Sequence, residues 1–170
     1  MDRHDMQREL RRNENTLVVA GLGIAAFGVW SIVKMVLMMT LQADKVLAEL
    51  DVFGESVTRE QAILIVSVIA VAIVLVDMLL RLYVGLSARK DGLGGKKKST
   101  YIVVLCIMIV VTLFADWYSA ANLSELSEDS ALDTLASLAV ELTSTVVMIE
   151  LAVAAIKVRK LRKKLAEEAR

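Results

Sequence analysis

The chain has 170 residues, 56% apolar and 24% charged, with a formal net charge of zero, no proline and one cysteine. A single cysteine excludes an intramolecular disulfide, and so much apolar sequence beside so much charge excludes an ordinary soluble domain of this size. The zero net charge excludes little, because acids and bases are segregated along the chain.

Residues 1–16 form a polar tail in which Arg3, Arg8, Arg11 and Arg12 alternate with Asp2, Asp5, Glu9 and Glu14. The only histidine, His4, lies here, and this isolation excludes a His-based metal or acid–base site. Four apolar stretches follow, at 17–41, 62–86, 101–121 and 132–156. A transmembrane helix needs about 20 mostly apolar residues, so each stretch predicts one span. The first stretch is too long for a signal-peptide core, holds Lys34 and is followed by no small-x-small cleavage pattern, so it reads as a retained span. Gly21, Ala25 and Gly28 lie on one face of it, a small-residue surface that lets a second helix approach closely.

The linker Gln42–Gln61 carries two bases and five acids. Thr58 with Gln61 has capping-box spacing and predicts the start of the second helix there. Asp77 and Arg81 are one turn apart on that helix and are expected to pair locally. The linker Ser87–Thr100 reverses the sign, with five bases against Asp91 alone and a Gly92–Gly95 break before Lys96, Lys97 and Lys98. This segment lacks the glycine and hydroxyl positions of a phosphate-binding loop and reads as a flexible basic linker. On the third span Asp116 is the only charge, Cys106 sits mid-span, and Tyr101, like Tyr83, is expected at headgroup level on the inner side, with Trp117 and Tyr118 on the outer.

Residues 122–133 hold four acids and no base. On the fourth span Thr134, Ser137, Glu141, Ser144, Thr145, Met148, Ala152 and Ala155 recur at helical spacing as a polar, small-residue stripe expected to face protein. Glu150, nine residues after Glu141, falls about half a turn out of phase with it and needs a second polar neighbour or partner. The tail 157–170 has seven bases and two acids and predicts a basic helical extension.

Bases collect in short cytoplasmic loops, so the pattern places both termini and the 87–100 linker in the cytoplasm and both acidic loops outside. Lys34, Asp116 and Glu141 then share the outer half of the membrane, while Asp77, Arg81 and Glu150 share the inner half, and a Lys34–Asp116 bridge is expected. The expectation is therefore an all-α membrane protein of bacterial cytoplasmic-membrane type: a four-transmembrane-helix bundle over 17–156, both termini inside, with a basic cytoplasmic C-terminal helical extension.

No motif specifies a reaction, cofactor or metal. The absence of aromatic residues between the basic runs argues against nucleic acid, and Lys96, Lys97, Lys98, Lys160, Arg162 and Lys163 are candidate contacts for anionic lipid of the inner leaflet. The expected function is that of a non-enzymatic accessory or interaction protein with a homo-oligomeric or heterologous membrane partner. The alternative is an oligomeric cation- or proton-coupled channel or transporter. It would use Glu141 with Asp116 or Asp77; the intramembrane charged and polar candidates as a set are Lys34, Asp77, Arg81, Asp116, Glu141, Ser144, Thr145 and Glu150.

Overall fold

The computed structural model describes residues 3–41, 59–95, 100–121 and 128–168. Over these the chain is all-helical: α1 spans Arg3–Leu41, α2 Arg59–Gly92, α3 Thr100–Ala121 and α4 Glu128–Glu168. Each of the four is long and apolar enough to cross a membrane, as an integral membrane protein requires.

Their lengths depart from the apolar stretches. The 22 residues of α3 match the expected span closely. The 39 residues of α1 and 41 of α4 reach about 60 Å at about 1.5 Å per residue, roughly twice the hydrocarbon thickness. The N-terminal tail is thus helical from Arg3 onward. Neither Pro nor Gly interrupts residues 3–16, and Met6 and Leu10 continue the phase of Leu17, Ala20 and Ile24, so one buried face runs through the polar segment. At the other end of the chain Val158 and Leu161 extend the face of Met148, Leu151 and Ala155 into the basic extension in the same way. The start of α2 at Arg59 fits the expected cap, although Thr58 itself and the 122–127 loop lie outside the described residues.

The end of α2 is set by glycine. Gly94 adopts φ +81°, a left-handed conformation open to a residue without Cβ. This lets the Gly95 N–H donate to the Lys90 carbonyl (2.8 Å) and the Gly94 N–H to that of Asp91 (3.1 Å). The two bonds form a Schellman cap, which satisfies carbonyls that the helix itself leaves open.

Two compact units divide the chain. The first comprises Met1–Ala25 with Tyr83–Arg170, the second Ala26–Leu82. In the first, Leu17 and Ile24 of α1, Val84 of α2, Tyr101 and Leu105 of α3, and Met148, Leu151 and Val158 of α4 are fully buried. Alanines 20, 88, 152, 154 and 155 fill the spaces between them and keep the helices close. Helices α1 and α2 run antiparallel here, with Gly21 against Gly85 and Leu17 against Gly92. A Cβ at Gly21 would come within 2.7 Å of the Gly85 carbonyl oxygen, and one at Gly85 would strike the Gly21 carbonyl, so the backbones touch at this crossing. Gly23 faces Val147 of α4, and α4 also packs along α3. In the second unit Gly28 of α1 lies against Met78 and Arg81 of α2. The Gly21–Ala25–Gly28 face therefore meets α2 throughout.

Burial is inverted relative to a water-soluble protein. Val19, Val110, Phe114 and Trp117 are among the large apolar side chains left more than two-thirds exposed, while Arg81, Asp91, Asp116, Ser144 and Thr145 are buried. In water such a surface would be penalised by about 25 cal/mol for each Å² of apolar area, whereas against lipid it carries no penalty.

Candidate functional site: interhelical charge clusters

In the first unit four helix ends meet around Arg162. It extends from α4 beyond the apolar stretch and donates through Nη1 to Asp91 Oδ1 (2.7 Å) and through Nη2 to the Asp91 carbonyl (2.7 Å). Glu14 Oε1, from α1, accepts from Nη2 (2.9 Å) and Nε (3.3 Å). The remaining carboxylate oxygen of Asp91 accepts from the Tyr101 hydroxyl of α3 (2.8 Å). The Arg159 guanidinium stands 5.9 Å from the centre of the Tyr101 ring, a favourable cation–π distance. A planar guanidinium, with donors fixed in a fork, can serve two carboxylates and a helix-terminal carbonyl at once. The negative end of the α2 dipole adds to the attraction. Asp91 is 2% exposed and the Arg162 side chain 14%, so the cluster is largely shielded from solvent.

The cluster changes two expectations. Tyr101 is 1% exposed and points inward rather than toward lipid headgroups, because Asp91 captures its hydroxyl and Arg159 covers its ring. Arg162, grouped by sequence with the bases available to anionic lipid, is engaged inside the protein. Lys160 is exposed, and Lys163, also exposed, approaches Glu167 at 3.8 Å on its own helix. Lys96, Lys97 and Lys98 lie outside the described residues.

The second unit holds the expected local pair. Arg81 Nε donates to Asp77 Oδ2 at 2.8 Å, and Ser31 Oγ of α1 adds a bond to the same oxygen at 3.2 Å. Lys34, half-buried, belongs to this unit, while Asp116 belongs to the first, where it is 6% exposed on α3.

On α4 the polar stripe faces inward. Ser144 (3% exposed), Thr145 (2%), Met148, Ala152 and Ala155 are buried, as its spacing predicts. Glu141 is half-buried above them; its Oε1 accepts from Ser137 Oγ at 3.2 Å, and its backbone carbonyl accepts from Thr145 Oγ1 at 3.0 Å. Thr134 lies among residues whose side chains are not described. Glu150 is exposed, consistent with its half-turn offset from Glu141. Cys106 is exposed on α3. Among the described residues no three His, Cys, Asp or Glu side chains converge as a metal site would require.

Sequence reasoning misses Glu14, Asp91, Tyr101 and Arg159 as a group. The one visible signal is Asp91, the only acid in a linker holding five bases.

No family model, curated protein or solved structure matches this chain. Geometry and charge therefore carry the functional reading.

Proposed function

We propose that this chain is a non-enzymatic, four-span membrane protein that acts as an accessory or interaction module, with both termini and the 87–100 linker on the cytoplasmic side. The observation carrying this reading is the Arg162 cluster. It joins the N-terminal part of α1, the end of α2, the start of α3 and the extension of α4, which supports a fixed polar end rather than loose tails. Exposed Lys160 and Lys163 stand on that end, available to anionic lipid of the inner leaflet or to an acidic surface of another membrane protein. Orientation rests on charge: the segments meeting at this end bring the five linker bases and the seven tail bases, against two and none in the opposite loops. A bacterial cytoplasmic membrane is the setting that the rule describes.

The rival reading is a cation- or proton-coupled transporter, favoured by the carboxylate of Asp116, buried within an otherwise apolar helix. Against it, Glu141 is hydrogen-bonded to Ser137 over a stripe of buried side chains, the arrangement of a packing seam. Reconstituted in liposomes, the protein should pass protons and K⁺ no faster than empty vesicles. Flux abolished by Glu141→Gln or Asp116→Asn would establish the transporter instead. For orientation, in a Cys106→Ser background, an impermeant thiol reagent on intact cells should label Ser127→Cys and spare Lys97→Cys.

A further inference from the structure

In the first unit, the N-terminal part of α1 and the middle of α4 border an open groove of about 450 Å³, a volume within the range of small-molecule sites. Its polarity changes along its length. At one end stand Glu9 and Arg12 of α1 and Lys157 of α4, all beyond the apolar stretches; Val146, Ile149 and Val153 line the other end, with Glu150 between them. Helices α1 and α4 are antiparallel here, so the charged end of one lies beside the charged end of the other.

The four charges are available. Glu14 and Arg162 close by are committed to each other, whereas among the described residues no ion pair engages Glu9, Arg12, Glu150 or Lys157. We infer that this groove binds a zwitterionic phospholipid carrying a primary ammonium, of the phosphatidylethanolamine class. Arg12 and Lys157 would take its phosphate and Glu9, at the same mouth, its ammonium, with an acyl chain along Val146, Ile149 and Val153. Bases beside an acid at one mouth match a zwitterion; an anionic headgroup would leave Glu9 without a partner and meet its repulsion. A quaternary headgroup has no N–H to donate to Glu9. The apolar floor below a charged mouth matches an amphiphile placed across the hydrocarbon boundary.

This inference rests on the four-span reading and is tested so that the two fail separately. The intact protein is incorporated into nanodiscs containing equal parts phosphatidylethanolamine, phosphatidylcholine and phosphatidylglycerol, released, and weighed by native mass spectrometry. Failure to incorporate would overturn the four-span reading and the lipid site with it. Successful incorporation should be followed by retention of the ethanolamine lipid about tenfold over the choline lipid, the scale of hydrogen bonds to charged groups. Glu9→Gln should abolish that preference and raise phosphatidylglycerol retention. Arg12→Gln with Lys157→Gln should weaken retention of all three, while Lys160→Gln should leave it unchanged. Equal retention of the three lipids by the unaltered protein would overturn the site, as would a Lys160→Gln effect matching that of the Arg12 and Lys157 changes. A lipid-free dimer disrupted by Glu9→Gln would overturn it in favour of a second copy of the chain.

Discussion

In the second unit Arg81 reaches Asp77 along a single helix, four residues away, and one hydroxyl joins them from α1. In the first, Arg162 gathers carboxylates from two other helices, 71 and 148 residues distant in sequence. The first arrangement forms with the helix itself and persists if the helices separate. The second exists only when the helices are assembled. A local pair therefore neutralises charge for insertion, while a distributed one makes charge depend on correct packing.

The sharpest way to break this contrast is to remove each cation. Arg162→Met strands Asp91, 2% exposed, and Glu14, and should lower stability by about 3–5 kcal/mol, as for other broken buried pairs. Arg81→Met leaves Asp77 within a span but with its Ser31 hydrogen bond and a side chain 34% exposed, and should lose less, about 1–3 kcal/mol. Both are read from unfolding in mixed detergent–SDS micelles followed by circular dichroism; equal losses would erase the distinction. Arg162→Lys should recover only part of the loss, since an ammonium lacks the fork that spans three acceptors.

A smaller effect is expected where the first unit's α1 and α2 touch. Gly85→Ala drives a methyl group onto the Gly21 carbonyl and should cost about 1–3 kcal/mol in the same assay. A neutral result would mean that the crossing can open without penalty. The smallest effect tests the Ser31 bond from α1 to the Asp77–Arg81 pair. Ser31→Ala should cost about 0.6 kcal/mol, the average for such bonds between membrane helices. A loss as large as that of Arg162→Met would show that this pair, too, depends on assembly.

What could be read from sequence follows the same division. The presence of four long apolar helices, the Asp77–Arg81 pair, the close-packing face of α1 and the buried stripe of α4 are all written in local spacing, and the structure carries them. The Arg162 cluster is not written locally. Its members come from four segments, and each alone resembles an ordinary surface or headgroup residue. The helical tails lie between these cases. Met6 and Leu10 before the first span, and Val158 and Leu161 after the fourth, continue the buried phase, but long polar flanks conceal so sparse a pattern.

The cluster also imposes an order on biosynthesis. Glu14 and Asp91 leave the ribosome well before Arg162, which follows Asp91 by 71 residues. At about 5–20 residues per second, that is a delay on the order of 4–14 seconds. Throughout this interval α1 and α2 carry two carboxylates awaiting their counter-ion. Only synthesis of α4 past its apolar stretch supplies it, so α4 latches segments made before it, and a nascent protein stalled before residue 162 would remain recognisable by its unneutralised acids.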